Sequence, residues 1–362
     1  MEHMNIDELQ QIVSVCLDEI IKLKDENTKL RSDLNNTSLL LTELFRNQKD
    51  LARSNESISN SLNLQVKHID SHFDNLRYEL NDPALKDDSM FYPKFYSIDD
   101  TIKDIIHNRK SLARFGDGEF ALMSNIARQK FQRLDPNLTA RLKEVIQVNE
   151  DGFLIAIANN YGDLSQYNAP GRAGIRQYMT AEIRLQHKEF IDLNRTYHNT
   201  YLSRPYALFA DNHTNAPKHR FDALKQIWNR RDVIMVEGSL TGLGVGNDLF
   251  DNAEQIRRIE APAENSFDKY DEILAAALQH ANSDTLFLIA LGPSAGVLAY
   301  DLYKAGYQAL DIGHLDLEYE WFLAGTGTRC EVKNKYNNEY PGGNQVEEIK
   351  DPTYLSQIIC KL

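Results

Sequence analysis

A seven-residue repeat of apolar positions dominates the first part of the chain. When Ile6 is placed at heptad position a, the repeat continues to about Leu76 without a change of phase, and no Gly or Pro interrupts it before Pro83. Such a strict repeat predicts a left-handed coiled coil, because it keeps one apolar seam facing a partner helix. The apolar a positions are Ile6, Val13, Ile20, Leu34, Leu41, Leu62, Ile69 and Leu76. The apolar d positions are Leu9, Cys16, Leu23, Leu30, Leu44, Leu51 and Ile58.

The residue types along this seam predict two parallel helices. Ile and Val at early a positions with Leu at d favour a parallel dimer, and a lone polar residue at a, such as Asn27, fixes the register. Polar residues enter the seam after Leu44, and a long helix packed on its own globular domain is the alternative interpretation. We predict a homo-oligomerisation stalk over residues 1–82, followed by a linker over residues 83–94.

Short apolar runs alternate with amphipathic segments in the rest of the chain. The runs lack strict alternation, which is typical of buried parallel strands, and they cover residues 153–158, 206–210, 233–236, 285–291 and 309–312. The helical segments between them cover residues 137–148, 174–192, 217–229, 268–281 and 294–305. This order predicts an α/β domain over residues 95–362, with a Rossmann-like, mostly parallel sheet and helices on both faces.

Composition narrows the class of partner. The chain of 362 residues holds 40 Lys and Arg against 53 Asp and Glu, a formal net charge of −13, which argues against nucleic acid as a partner. The three cysteines, Cys16, Cys330 and Cys360, have neither metal-site nor disulfide spacing and fit a reducing cytosol. No apolar run is long enough to cross a membrane, so we expect a cytoplasmic protein without a transmembrane segment.

The segment Arg-Phe-Gly-Asp-Gly-Glu at 114–119 is the first candidate site. Asp117 and Glu119 are hard oxygen donors beside glycines that let the backbone approach a ligand, which suits Mg²⁺ or Mn²⁺ together with substrate phosphates. Arg114 would add a phosphate contact. A solvated turn is the alternative, because Asp and Gly form turns wherever they occur.

A glycine-rich loop follows the predicted strand at 233–236. Its four glycines between a strand and a helix predict a cradle of backbone N–H groups for an anion, and a flexible loop is the alternative. The loop matches neither the dinucleotide-binding fingerprint nor a P-loop.

A histidine and three acids follow the predicted strand at 309–312. His314 and Glu318 are four residues apart and would share one helix face, where either side chain serves as a general base or a metal ligand. A capped helix start is the alternative, and we assign Asp316 and Glu320 to it because acids in a first turn interact favourably with the helix dipole.

Taken together, these segments resemble the bacterial glycosyltransferases with the GT-D fold, which occur in adhesin glycosylation and surface-polysaccharide loci. The segments that carry the resemblance are 114–119, 244–250, 258–262, 263–274, 291–293 and 311–322. They lie in order over about 95–335, whereas the predicted coiled coil lies outside the resemblance.

The resemblance implies a UDP-sugar donor, glucose or galactose, and a glycan or glycoprotein acceptor. It implies Mn²⁺ or Mg²⁺ at Asp117 and Glu119. The residues expected to bind the donor are Arg114, Gly116, Gly242, Gly244, Gly246, Asn247 and Asp248. An Arg often found at this glycine loop in the family is absent, so we expect Arg114 or Arg172 to contact the donor phosphates instead.

The resemblance leaves the stereochemistry open. His314 or Glu318 would deprotonate the acceptor hydroxyl if the reaction inverts the anomeric centre, and His314 would be a third metal or phosphate contact if it retains it. A non-catalytic UDP-sugar-binding scaffold, organising partner transferases through the coiled coil, is the alternative function.

Overall fold

A computed structural model describes residues 6–81, 91–127, 131–337, 339, 342–343 and 345–362. The chain divides into two compact units, Met1–His72 and Phe73–Leu362. Most of the predicted linker at 83–94 lies outside the described residues, which resume at Phe91.

The predicted N-terminal helix is confirmed as one continuous helix, α1, over Ile6–Asn81. Its heptad side chains are exposed in the single chain: Leu30 and Leu34 keep 68% and 71% of their surface. A helix of this length is stabilised mainly by packing of an apolar face, and the pairing of this seam with a second helix stays a prediction. Nowhere in the described chain does a helix combine the length and apolar character that a bilayer crossing requires.

Within the described residues, nine strands form one sheet in which all pairings are parallel. They are β1 (Lys94–Phe95), β2 (Ser111–Phe115), β3 (Phe153–Ile157), β4 (Thr196–Asn199), β5 (Asp232–Gly238), β6 (Gln255–Ala261), β7 (Leu286–Ala290), β8 (Gln308–Asp311) and β9 (Ile358–Lys361). Their order across the sheet is β1-β4-β3-β2-β8-β7-β5-β6-β9. The predicted mostly parallel sheet is therefore confirmed.

Ten further helices accompany the described part of the sheet. They are α2 (Ile98–His107), α3 (Asp117–Met123), α4 (Pro136–Ile146), α5 (Ala169–Tyr178), α6 (Ala181–Lys188), α7 (Ala216–Lys225), α8 (Tyr270–His280), α9 (Ser294–Lys304), α10 (Leu315–Leu323) and α11 (Pro352–Gln357). Two short 3₁₀ helices cover Thr200–Ser203 and Ser266–Lys269.

The core lies on both faces of the sheet. Successive residues of β2 point to opposite faces, so that Phe115 joins one apolar cluster with α3, α4, α8 and α9. Leu112 joins the other cluster with α2, α7 and α10. Helices on both faces, as predicted from the alternation of segments, follow from this two-sided burial.

One predicted strand is wrong. Residues 206–210 form turns with one isolated bridge, from Phe209 to Tyr167, and the strands that pair with β3 are β2 and β4. The apolar character of 206–210 reflects burial of side chains such as Tyr206, whereas the backbone N–H groups of Tyr206 and Ala207 donate to the carboxylate of Glu318. An apolar run alone does not show where its backbone hydrogen bonds go.

Strand β6 was not predicted, because its sequence is rich in charge. Its residue Arg257 pairs with Asp232, and Arg258 pairs with the fully buried Glu237. Buried charges of this kind are tolerated when they are paired and hydrogen-bonded. The polar appearance of the segment therefore hides a strand that is paired on both sides, with β5 and with β9.

Candidate active site at the carboxyl edge of the sheet

The two predicted metal ligands lie where β2 ends and α3 begins. Gly116 is the extended N-cap residue, Asp117 is the first helical residue, and the Glu119 side chain accepts the N–H of Gly116 at 2.7 Å. A Glu at the third helical position that reaches back to the N-cap is one half of a capping box. The turn that the glycines suggested is thus the first turn of a helix, where the dipole favours carboxylates.

The two carboxylates have different surroundings. Asp117 is exposed, and its charge acts on the neighbouring His187 and Tyr201. Glu119 is half-buried, and burial raises the pKa of its carboxyl to about 7, with Asp311 adding to the rise and Gly116 N–H and Arg114 opposing it. In the described part of the chain, no ion pair reaches Glu119.

Arg114 joins two adjacent strands beneath this site. Its Nη2 meets Asp311 Oδ1 at 2.6 Å, its Nε donates to the Asp311 carbonyl at 2.9 Å, and its Nη1 donates to Ser203 Oγ at 2.9 Å. Gly313 is required above it, because a Cβ at that position would stand 1.9 Å from Arg114 Nη2. Arg114 therefore fixes β2 against β8, and its predicted contact with a donor phosphate stays a prediction.

His314 does not have the properties of a base in this structure. Burial, aided by Arg204, lowers its pKa to about 3. Its Nδ1 lies 3.1 Å from Arg204 Nη2, and because a guanidinium can only donate, this contact assigns the imidazole proton to Nε2. His314 therefore presents an N–H donor, which corrects the predicted base, and its predicted alternative role as a third metal or phosphate contact stays a prediction.

Glu318 also differs from the predicted base. Its side chain is 0% exposed, and its Oε2 accepts the N–H groups of Tyr206 and Ala207 at 3.0 and 2.8 Å. A carboxylate enclosed in this way cannot reach an acceptor hydroxyl. It holds the 206–207 backbone beside α10 instead.

Arg204 and Arg329 belong to a cluster that the sequence did not indicate. Both guanidinium groups contact the carboxylate of Glu339, and Arg204 also contacts His314. Arg204 directly follows the 3₁₀ helix after β4, and this position at a strand's carboxyl end was the available signal. Glu339 lies in a C-terminal stretch without periodicity, and the sequence there gave no signal for a functional residue.

Three glycines of the loop after β5 adopt left-handed backbone conformations. Gly242, Gly244 and Gly246 have φ values of +59°, +75° and +81°. The N–H of Leu243 donates to Glu237 at 2.7 Å, and the N–H of Gly244 donates to Asp316 at 3.0 Å. The anions that these two N–H groups meet are therefore the protein's own carboxylates, and donor binding by the loop stays a prediction.

Asn247 and Asp248, the other predicted donor contacts, are engaged as well. Asn247 Nδ2 donates to Asp316 at 2.8 Å and to Glu320 at 2.6 Å. Asp248 accepts from Lys225 at 2.8 Å and from Tyr319 at 2.6 Å. These contacts hold the loop against α10.

Asp316 and Glu320 do more than stabilise a helix start. Asp316 is 2% exposed, and Lys335 Nζ bridges the two carboxylates at 2.6 and 2.7 Å. The interpretation of these acids as simple dipole partners is therefore incomplete, since together with Lys335 they fix the glycine loop.

The sheet order explains which predicted residues come together. Strands β2 and β8 are neighbours, so the 114–119 segment and His314 lie at adjacent carboxyl ends, where ligands of open α/β sheets bind. The glycine loop follows β5, which β7 separates from β8, and Asp316 of α10 connects the loop to this edge. In the described residues, no group of three or more His, Cys, Asp or Glu side chains forms a metal site on its own.

Residues 112–340 match the protein family described as Glycosyltransferase GT-D fold. The chain is 35% identical over 269 residues to a probable glycosyl transferase Gly from Streptococcus gordonii, and 34% identical over 272 residues to the glycosyltransferase GlyD from Streptococcus pneumoniae serotype 4. These matches cover 74% and 73% of this chain but 38% and 32% of the two relatives. The chain thus spans about a third of the length of the curated relatives it matches.

Solved structures give the same result for the fold. A new glycosyltransferase of the domain-of-unknown-function 1792 group from Streptococcus sanguinis has a TM-score of 0.70 and 34% identity, covering 75% of this chain and 99% of its own. Another structure, of the highly conserved domain of unknown function 1792 with a distinct glycosyltransferase fold, has a TM-score of 0.69 and 32% identity, covering 74% of this chain and 95% of its own.

Proposed function

The chain belongs to the family of glycosyltransferases with the GT-D fold, and from this premise we propose that it moves a hexose from a UDP-sugar to a hydroxyl of a glycan or glycoprotein acceptor. The observation that carries the proposal is that the family match, residues 112–340, contains every predicted site residue. We propose glucose or galactose as the hexose, surface-polysaccharide or adhesin glycosylation as the setting, and the cytoplasm as the location.

We propose that Asp117 and Glu119 hold Mn²⁺ or Mg²⁺. Their chemistry fits such an ion: both are hard oxygen donors, Asp117 is exposed, and Glu119 is half-buried with a raised pKa, a state that a nearby cation would relieve. A divalent ion bound there supplies positive charge beside the leaving diphosphate.

His314 and the glycine loop are the further groups that we propose to contact the donor. His314 Nε2–H is available as a donor to a phosphate oxygen, and the glycine loop borders the same edge of the sheet through Asp316. Hydrogen-bond donors that are fixed before the reaction stabilise charge as it develops on the leaving group. We therefore propose that His314 contacts the donor diphosphate.

The direct test is the double variant Asp117→Ala with Glu119→Ala, assayed for hexose transfer from UDP-glucose and UDP-galactose with Mn²⁺. We expect loss of transfer, and loss on adding EDTA to the wild type. Asp271→Ala is the matched control, because Asp271 is also an exposed acid in a first helical turn. Full activity of the double variant would reject the metal site.

A non-catalytic scaffold is the second candidate, favoured by the long exposed heptad seam of α1. Such a protein would bind UDP-sugars without turnover. Formation of a glycosylated product by the purified chain decides between the two functions.

A further inference from the structure

The carboxylate of Glu339 lies at the centre of a cationic cluster. Arg204 contacts both of its oxygens, with Nη1 to Oε2 at 2.9 Å and Nη2 to Oε1. Arg329 Nη1 lies 3.2 Å from Oε2, and His314 Nε2 lies 3.8 Å from Oε1. The Glu339 side chain retains only 13% exposure, so these contacts are made largely out of water.

The groups around Glu339 form the donor set that a phosphate requires. A guanidinium presents a planar fork that matches carboxylate and phosphate oxygens alike, and two guanidinium groups with an imidazole N–H exceed what one carboxylate needs. Burial alone would raise the pKa of the Glu339 carboxyl, but Arg204, with His314 and Arg329, holds this pKa well below its ordinary value, so Glu339 is an anion at neutral pH.

The cluster lies at the edge of the sheet where the donor is proposed to bind. Arg204 follows the 3₁₀ helix after β4, and His314 follows β8. Ser203, the residue before Arg204, accepts from Arg114 Nη1, and Arg114 is part of the 114–119 segment. The cluster is therefore continuous with the proposed metal and diphosphate site.

We infer that Glu339 is an autoinhibitory substitute for a phosphate of the donor: its carboxylate occupies an anion site formed by Arg204, Arg329 and His314, and it leaves when a nucleoside diphosphate binds. This inference rests on the proposed function and adds regulation of the same site. Glu339 competes with the donor, so the apparent donor affinity is lowered by the fraction of molecules in which the site is filled.

The chain before Glu339 is anchored, so that only a local movement is needed. Asn337 is 0% exposed and donates from Nδ2 to the Cys330 carbonyl at 3.2 Å. Lys335 is held by Asp316 and Glu320. Departure of the Glu339 side chain leaves these contacts intact.

The test is calorimetric titration of UDP, and separately of inorganic pyrophosphate, into the full chain carrying Glu339→Gln. The amide keeps the size of the side chain and removes its charge. We therefore expect both ligands to bind the variant on the order of tenfold more tightly than they bind the wild type. Adding Arg204→Gln to this variant should abolish the gain. Glu347→Gln is the matched control, because Glu347 is a C-terminal acid with 83% exposure, and its affinities should equal those of the wild type.

The outcomes separate this inference from the proposed function. UDP binding of equal or lower affinity in folded Glu339→Gln overturns the inference and leaves the proposed function standing. Tighter pyrophosphate without any UDP binding supports the anion site and rejects the nucleotide donor. If Glu339→Gln does not fold, Glu339→Asp decides: the shorter side chain loosens the contact, tighter UDP binding supports the inference, and unchanged binding overturns it.

Discussion

At the scale of single residues, the chemistry of the site depends on the protonation states of Glu119 and His314. Burial moves the pKa of Glu119 up and that of His314 down, so a carboxyl becomes harder to ionise and an imidazole stays neutral. The sequence placed His314 correctly after a strand, whereas it placed Glu119 on a turn and did not predict β2 before it. It could not give their protonation, because this depends first on burial in the folded chain and then on Asp311 and Arg204, which are distant along the chain.

The first residue-scale prediction concerns the pH dependence of stability. Because the folded pKa of Glu119, about 7, exceeds its ordinary value of 4.5, the folded state binds more protons in that interval, and the free energy of unfolding falls as pH rises through it. Glu119→Gln keeps an oxygen that accepts the Gly116 N–H but has no titrating carboxyl, so it should remove this pH-dependent loss of stability. Urea unfolding measures the free energy of unfolding at about pH 5 and at about pH 8. The decrease in this free energy between the two pH values should be smaller in Glu119→Gln than in the wild type by on the order of 1 kcal/mol. An identical pH dependence in both proteins would show that Glu119 does not titrate in this way.

The second residue-scale prediction concerns His314 as a hydrogen-bond donor. His314→Gln keeps an N–H donor and should retain kcat/KM within about tenfold, whereas His314→Ala should lose about 10²-fold, the usual effect of removing a fixed donor at a developing charge. His314→Asp provides a base without a donor and should be as impaired as His314→Ala. Steady-state transfer assays measure all three. Higher activity of the Asp variant than of the Gln variant would restore His314 as the base.

At the scale of elements, the glycine loop depends on backbone conformation. Gly244 has φ of +75°, and a Cβ there would stand 2.8 Å from Phe250 Cδ2. Gly246 has φ of +81° but no atom within 4 Å of an added Cβ. The two glycines therefore separate the effect of backbone strain from that of steric overlap.

Gly244→Ala should lower the free energy of unfolding by about 2–3 kcal/mol, because strain and overlap add. Gly246→Ala, its matched control, should lower it by about 1 kcal/mol through backbone conformation alone. Chemical denaturation of both variants checks the difference. Equal losses would mean that Phe250 adjusts without cost.

The elements also show how far the sequence could be interpreted. Strands β3, β5, β7 and β8 were predicted from apolar runs, because buried parallel strands are continuously apolar. Strand β6 was missed, since the charges of Arg257 and Arg258 are neutralised by partners on β5. Tertiary pairing of this kind is not visible in a local window.

At the scale of the whole molecule, the chain consists of two units that differ in how well the sequence predicts their structure. The heptad predicted α1 almost to its last residue, because helix periodicity is local. The C-terminal part, residues 336–362, had no pattern to interpret, yet β9 adds a strand beside β6 and Glu339 enters the arginine cluster. Such contacts join segments that are distant along the chain, so no local pattern indicates them.

The proposed parallel homodimer gives the prediction for this scale. Leu30→Asp with Leu34→Asp places charges at d and a of the seam, so it should convert a dimer to a monomer in light scattering coupled to gel filtration. Ser32→Asp, at the outward-facing f position of the same turn, should leave the mass unchanged. An unchanged mass in the double variant would refute the seam as the interface.

The central claim is that this chain transfers a hexose. The most direct measurement is mass spectrometry of glycan and glycopeptide acceptors incubated with the purified chain, Mn²⁺ and either UDP-glucose or UDP-galactose. We expect an acceptor that gains one hexose with release of UDP, and no gain with the variant Asp117→Ala, Glu119→Ala. Binding of UDP-sugars without a glycosylated product from either donor would contradict the claim and favour the scaffold.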